Sequence, residues 1–295
     1  MGLASFKQNF QDWATQQWVI TFGKKINTEE FKWLLGPFGN VDGIGEKFIK
    51  QLAEKENLNI DSESKNRGLI NSIEQLELTK DDLNKLSTEV INFYEQTSNY
   101  GFDLKVKWNP IFKIFGYLLK LIFSNRIEQL NVPTTNNSLG QKMRSSIIKL
   151  NDTKDNSNKR TIWLRTFKET NKVVYSGVYE TCKIPNGTVC IKAIFPLPNG
   201  NATVILEPKV TENGALILTS NGREIGDSGF YFLLRDRNNK IWTKYIKSFK
   251  DCLKVNIKNE KIKAIQTMTF YGFRVLKFEY DIKKLHTTRC IKHSE

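Results

Sequence analysis

Short runs of alternating apolar and polar residues, separated by turn residues, extend from Val173 to Ile282. In the first run Val174 would lie on one face of a strand, and Tyr175 and Tyr179 on the other, because strand side chains alternate with a period of two. Asn-Gly turns follow the early runs, and Asn-Gly between β-rich segments is the strongest short signal for a hairpin. The pattern therefore predicts a succession of antiparallel strands.

This second half of the chain contains about ten such runs at the spacing of an all-β sandwich or barrel. The connections are too short for helical crossovers, which argues against a parallel sheet. A meander that closes on itself would leave no exposed edge, so we expect a barrel or a strongly curved sheet. The stretch Ile241–Val255 also fits a helix, since its lysines recur at helical spacing.

The first half of the chain predicts helices. An amphipathic helix is expected within residues 3–22, and another begins at Thr79 and buries an apolar face that includes Val90 and Phe93. Two polar runs, Asn131–Leu139 and Asn151–Lys159, then precede the strands. The predicted fold class is α+β, with a helical region at 1–135, a connector at 136–160, an antiparallel β domain at 161–285 and a tail at 286–295.

The segment 110–123 is apolar on nearly all sides. Asn109 suits the cap of a helix and Pro110 its first position. The segment is too short to span a bilayer, which takes about 20 apolar residues. Two interpretations remain: a central helix buried on both faces, which is the simpler one, or a helix that lies in the interface of an anionic membrane.

Four glycines lie between Gly36 and Gly45, and the last two, Gly43 and Gly45, lead into an apolar helical face. Glycines before a helix can hold a phosphate on backbone amides, as in helix-hairpin-helix DNA-binding modules or phosphate-binding loops. The Gly-Lys-Ser/Thr ending of a P-loop is missing, and no strand precedes the glycines. A tight turn before a core helix is the simpler interpretation.

The net charge of +14 is concentrated in the β half. Residues 1–150 hold 19 Lys and Arg against 17 Asp and Glu, whereas residues 151–295 hold 26 against 14. A basic surface attracts nucleic acid, anionic headgroups or acidic ligands, although it also serves solubility. No basic-then-apolar signal segment opens the chain, so we expect a cytoplasmic protein, with peripheral membrane contact through 110–123 as the alternative.

Neither a metal site nor a cofactor is predicted. The four cysteines show neither zinc spacing nor a disulfide framework, and both histidines, His286 and His293, lie in the tail. Cys182 and Cys190 would lie directly opposite each other if the hairpin loop between them has three residues. Thiols on adjacent strands are usually packing residues.

Polar residues within or beside apolar strands are the candidate site. Glu180 would share a face with Val178, where an unpaired carboxylate is costly, and a Gly-flanked loop that contains Arg223 and Asp227 could shape the mouth of a barrel. The simpler interpretations are an outward-facing Glu180 beside a lysine and a plain turn with a local ion pair. We predict Tyr179, Arg223, Tyr231 and Arg274 as ligand-binding residues and, if the protein is an enzyme, Glu180 and Asp227 as its catalytic carboxylates.

These patterns favour a binding protein whose barrel interior accepts an apolar or amphipathic small molecule, such as a lipid or an isoprenoid. An enzyme on the same scaffold is the first alternative, and a carboxylate of raised pKa in the cavity would favour it. A basic nucleic-acid-binding protein ranks third, since it would need a continuous Lys/Arg stripe and the sequence lacks interleaved aromatic and basic residues.

Overall fold

Antiparallel strands dominate the computed structural model, which describes residues 2–4, 10–39, 46–112 and 137–285. Within these ranges the helices are α1 (Phe10–Phe22), α2 (Glu46–Glu56), α3 (Lys80–Lys85) and α4 (Thr88–Glu95). The strands are β1 (Lys24–Lys25), β2 (Leu58–Asp61), β3 (Tyr100–Trp108), β4 (Asn137–Asp152), β5 (Asn158–Phe167), β6 (Val173–Lys183), β7 (Val189–Leu197), β8 (Gly200–Val210), β9 (Leu216–Thr219), β10 (Gly229–Arg235), β11 (Ile241–Tyr245), β12 (Phe249–Lys258), β13 (Lys261–Phe270) and β14 (Phe273–Lys284).

Ten of these strands close into a barrel. Their order is β8-β7-β6-β5-β4-β3-β14-β13-β12-β9, and β9 pairs back onto β8 through four residues, Leu216–Thr219. All these pairings are antiparallel. The prediction of an α+β protein built on an antiparallel barrel of about ten strands is therefore confirmed. The doubtful stretch Ile241–Val255 forms β11 and part of β12 and contains no helix.

The barrel wall divides at β8. Residues 200–205 of β8 pair with β10, whereas residues 207–210 pair with β9. Strands β10, β11 and β1 therefore extend away from the barrel, and the beginning of β12 pairs only with β13. The rings of Phe230 and Phe249 face each other across the resulting gap at 5.2 Å. We call this end, which carries the turn between β13 and β14, the top of the barrel.

The bottom of the barrel is covered by residues 67–99, here called the bottom cap. The cap contains a 3-10 turn at Ile73–Leu76 and the helices α3 and α4. Thr79 caps α3, since its hydroxyl accepts a hydrogen bond from the Asp82 amide at 3.1 Å. The single helix predicted from Thr79 is interrupted at Leu86, whose backbone is extended. Buried apolar side chains of the cap pack against inward-facing residues of the strands: Leu69, Ile70, Ile73, Leu76, Leu86, Val90, Phe93 and Tyr94.

The outer face of the barrel is covered by the N-terminal segments. Helix α2 places Phe48 and Leu52 against Ile162 and Ile194, and residues 26–38 cover the outer face of β6, β7, β8 and β10. Helix α1 lies against the opposite face of β10 and β11, the face that carries the cavity-lining Phe232, through a separate cluster that includes Leu234. These contacts explain why Val178 and Cys182 of β6 are buried although they point away from the interior.

Two barrel strands lie where the sequence predicted otherwise. Strand β3 falls in the predicted helical region 1–135, and β4 with the start of β5 fills the predicted connector 136–160. The polar run Asn151–Lys159 contains the end of β4, the turn at 153–157 and the start of β5. The glycines at 43 and 45, most of segment 110–123 and the tail from 286 lie outside the described residues.

Candidate functional site: the barrel cavity

The barrel interior encloses a cavity of about 340 Å³. Its lining is mainly apolar and aromatic, drawn from the inward-facing residues of the strands and from the bottom cap. Lining residues near the bottom, such as Leu69 and Phe93, are buried, whereas Phe230, Phe249 and Phe270 at the top are only half-buried. Within the part of the chain that the structure describes, the cavity is therefore open at the top, where the wall divides, and we call that opening the mouth.

A buried cation lies on the cavity wall. Strand β5 points Trp163 and Arg165 inward, and the guanidinium carbon of Arg165 is 4.1 Å from the centre of the Trp163 ring and 4.5 Å from that of Tyr175. Only 7% of Arg165 is exposed. Among the described residues, its Nε atom has no hydrogen-bond partner and no carboxylate forms an ion pair with it. The two rings stabilise the cation through their faces but do not neutralise it.

A buried carboxylate on β12 is the second polar feature of the cavity. Gln266 donates a hydrogen bond from Nε2 to Oδ2 of Asp251 at 2.6 Å, and the Tyr280 hydroxyl donates to Oε1 of Gln266 at 3.3 Å. The other oxygen of Asp251, Oδ1, has no partner among the described residues. Burial raises the pKa of Asp251 to about 7, although the bond from Gln266 opposes this shift. The carboxyl group is therefore partly protonated near neutral pH.

Tyrosine hydroxyls supply further polar atoms. Burial raises the pKa of Tyr94, Tyr175 and Tyr179, and raises that of Tyr280 to about 12, so all four stay protonated at neutral pH. The Tyr94 hydroxyl is buried without a partner in the described part of the chain. Arg165 Nε, Asp251 Oδ1 and the Tyr94 hydroxyl thus form a set of unpaired polar atoms on residues that line one apolar cavity.

The structure brings one predicted site residue, Tyr179, into the cavity wall, where its ring packs against Trp163 at 5.5 Å. Glu180 borders the cavity, but its carboxylate is held on the outer side by Arg160 at 3.0 Å and by Lys192 at 2.7 Å. Because Arg160 also binds Glu56 of α2, Glu180 belongs to an ion-pair network between the barrel and its covering segments.

The other predicted residues lie away from the cavity. Asp227 accepts hydrogen bonds from the amides of Arg223 and Glu224, which makes their loop a local turn. The Tyr231 hydroxyl donates to the Asp227 carbonyl at 2.6 Å, and its ring lies in the outer cluster. Arg274 is exposed at the beginning of β14. The structure does not bring these residues together with Tyr179.

Sequence reasoning missed Arg165, Asp251 and Gln266. The signal for Arg165 is present, because Thr161, Trp163 and Arg165 alternate with apolar residues in β5, ahead of the first predicted strand at Val173. Asp251 lies in the stretch whose helix-or-strand assignment stayed open. Which face of each strand points inward depends on barrel closure, and alternation alone does not reveal it.

Cys182 and Cys190 pair directly across the β6–β7 hairpin, as a three-residue loop requires. Both are free thiols in the outer cluster, and burial raises their pKa to about 11 and about 12. In the described ranges, no group of three or more His, Cys, Asp or Glu side chains is placed to hold a metal ion. No helix within those ranges is long and apolar enough to cross a membrane.

Comparisons with known proteins give one match. No family model and no solved structure matches the sequence. Over 271 residues the chain is 27% identical to the "Uncharacterized membrane protein YndJ" of Bacillus subtilis (strain 168). The alignment covers 91% of this chain but 46% of that protein, so the chain spans less than half the length of its relative.

Proposed function

We propose that the barrel binds an amphipathic small molecule, with its apolar part in the cavity and an anionic head against Arg165. The observation that carries the proposal is the cation buried in an apolar cavity without a carboxylate partner in the described part of the chain. A buried charge is costly unless it is paired and hydrogen-bonded. A bound anion would supply both the missing charge and the acceptor for Nε.

The other unpaired polar atoms of the cavity restrict the chemistry of the ligand's anionic head group. The Tyr94 hydroxyl is a hydrogen-bond donor at neutral pH. Asp251 donates a hydrogen bond when its carboxyl group is neutral and accepts hydrogen bonds when it is charged. A carboxylate or phosphate head offers several acceptor oxygens that suit these donors. The cavity volume of about 340 Å³ lies at the lower end of the range for small-molecule sites, which is about 300–1,000 Å³.

The relative's name supports a lipid-derived ligand. That relative is named as a membrane protein, and lipids are the abundant amphipathic molecules at a membrane. We therefore propose a fatty-acid-like or isoprenoid-like acid as the ligand class, and a site of action at or near a membrane surface.

Displacement of a fluorescent fatty acid tests this function. We expect a long-chain fatty acid to displace the probe, and the alcohol of the same chain length to do so only weakly, because the alcohol cannot pair with Arg165. Arg165→Met should weaken binding of the acid by about 2–5 kcal/mol, the range for truncating one partner of a buried charge pair. Arg144→Met is the matched control, since Arg144 is exposed on β4.

Equal affinity of wild type and Arg165→Met for the acid would overturn the proposed head-group contact. Equal affinity of the wild type for acid and alcohol would do the same. Circular dichroism of each variant separates loss of the contact from loss of the fold.

An enzyme is the second candidate, and Asp251 favours it. A buried carboxylate with a pKa of about 7 is suited to general acid–base chemistry near neutral pH. Among the described residues no second carboxylate points into the cavity with a free oxygen, so binding is the function with more support. Mass spectrometry of the ligand after incubation decides between them: an unchanged mass favours binding, and conversion that Asp251→Asn abolishes favours catalysis.

A further inference from the structure

Four large aromatic side chains are exposed around the mouth of the cavity. Their exposed fractions are 40% for Trp18, 62% for Phe22, 73% for Tyr271 and 66% for Phe273. Single exposed apolar residues are normal on a protein surface, but a group at one end marks an interaction site. We call these four residues the aromatic rim.

The aromatic rim is continuous with the cavity. Lys244 of β11 donates a hydrogen bond to the Phe22 carbonyl at 2.7 Å, and the Tyr271 amide donates to the Ser248 carbonyl at 2.8 Å. The short connection after β11 therefore joins the two halves of the rim. The Trp18 ring lies 6.3 Å from that of Phe232, which lines the cavity.

The turn between β13 and β14 holds its aromatic residue in a disfavoured backbone conformation. Tyr271 has a φ of 48° and Gly272 a φ of 81°, which is the geometry that Asn-Gly normally adopts in a two-residue hairpin. A bulky residue with positive φ is uncommon and points to a functional constraint. The turn at the bottom of the neighbouring hairpin instead has Asn259 and Glu260 at positive φ.

The charges nearest in sequence to the rim's turn and to the connection after β11 are cationic. Every charged residue between 241 and 250 is Lys, and Arg274 directly follows Phe273. Lys247 and Arg274 are exposed. Aromatic residues with flanking cations are typical of surfaces that enter the headgroup region of anionic membranes. The same cations would repel a second copy of this surface, which disfavours self-association through the rim.

We propose that the top of the barrel docks on a bilayer that contains anionic lipid, with the aromatic rim in the headgroup region. In this orientation the mouth faces the membrane, and an apolar ligand can pass between bilayer and cavity without entering bulk water. The docking proposal rests on the exposed surface alone and holds whatever the cavity binds.

Vesicle sedimentation of the full chain tests the proposal. The probes are vesicles of phosphatidylcholine alone and of phosphatidylcholine mixed with phosphatidylglycerol. We expect the wild type to sediment with the mixed vesicles and roughly tenfold less with the neutral ones, since the surface cations are attracted to anionic headgroups. The double variant Tyr271→Ser/Phe273→Ser should lose roughly tenfold in partitioning, because two rings no longer leave water.

Two controls keep the result specific to the rim. Ile60→Ser removes an exposed apolar side chain of β2 at the bottom of the barrel and should leave sedimentation unchanged. Arg165→Met alters the cavity but not the rim and should also sediment normally. The variant therefore distinguishes failure of the ligand-binding proposal from failure of the membrane-docking proposal.

Absence of wild-type sedimentation would overturn the docking proposal, as would equal sedimentation with neutral vesicles or an undiminished signal from the rim variant. A dimer in analytical ultracentrifugation that the rim variant dissociates would assign the surface to a second copy instead.

Discussion

At the scale of single residues, two buried cations show different roles. Lys192 is 3% exposed and binds Glu180 at 2.7 Å and the carbonyls of Trp33 and Leu35 at 2.9 and 2.8 Å. Arg165, which is 7% exposed, instead lies against two rings, with its Nε unpaired in the described part of the chain. Lys192 is satisfied by the protein itself, whereas Arg165 leaves both charge and donor available to a ligand.

Asp251→Asn should change the pH dependence of stability. Burial raises the pKa of Asp251 to about 7 from the value of about 3.9 in an unfolded chain. The folded state therefore binds the Asp251 proton more tightly than the unfolded chain does. This protonation stabilises the fold fully below about pH 4, and the stabilisation is lost as the pH rises through about 7. At about 1.4 kcal/mol per pKa unit, the free energy of unfolding contributed by Asp251 falls by a few kcal/mol between these two pH values.

Urea unfolding of both proteins at several pH values measures this effect. We expect the wild type to lose free energy of unfolding relative to Asp251→Asn as the pH increases from about 5 to about 8. A constant difference across that interval would show that Asp251 titrates normally.

Tyr94→Phe should separate ligand binding from folding. The Tyr94 hydroxyl is buried without a partner in the described part of the chain, so its removal should leave the stability of the free protein unchanged or raise it by about 1 kcal/mol. Affinity for the acidic ligand should fall. Tyr231→Phe is the matched control, because it removes a hydroxyl with two backbone partners, at 2.6 and 3.2 Å, and should destabilise the fold without altering affinity. Unchanged affinity of Tyr94→Phe would exclude this hydroxyl from the site.

At the scale of elements, the N-terminal segments are attached to the barrel by charge as well as by apolar packing. Arg160 of β5 joins Glu56 of α2 to Glu180 of β6, and Lys192 of β7 joins Glu180 to residues 33–35. The network therefore fixes two covering segments to three adjacent strands.

Lys192→Met should destabilise the protein by about 3–5 kcal/mol. In this variant Glu180 keeps only one cationic partner, and the two carbonyls that accept from Lys192 lose their donor. Lys183→Met should cost less than about 1 kcal/mol, because Lys183 and Glu77 form an exposed pair. Thermal unfolding of both variants checks the comparison. Equal losses would mean that the buried network contributes no more than a surface pair.

Element types were predictable from sequence where alternation coincided with strong turn signals. Strands β6 and β7 and the turn between them follow from alternation and from Asn186-Gly187. Strand β3 alternates equally well, with Tyr100, Phe102 and Leu104 buried, but it runs directly into the segment after Trp108, whose apolar residues on nearly all sides favour a helix. Local patterns identify strands, yet they do not show which distant strand becomes the partner.

At the scale of the whole molecule, the division of the wall at β8 determines the direction of access. The bottom cap closes one end, while the departure of β10 and β11 leaves the other open among the described residues. The sequence predicted the closed meander, but the candidate site only in part: Tyr179 lines the cavity, whereas Glu180 and Tyr231 serve the outer face. Period-two alternation defines two faces of each strand, and closure alone decides which becomes the interior.

Native mass spectrometry of the purified full chain tests most directly whether the barrel is a container for an amphipathic acid. We predict that the wild type retains, or takes up from a lipid extract, an adduct of lipid mass that dissociates as an acid, that Arg144→Met retains it and that Arg165→Met does not. A wild-type protein that shows only its own mass after incubation with the extract would contradict the account.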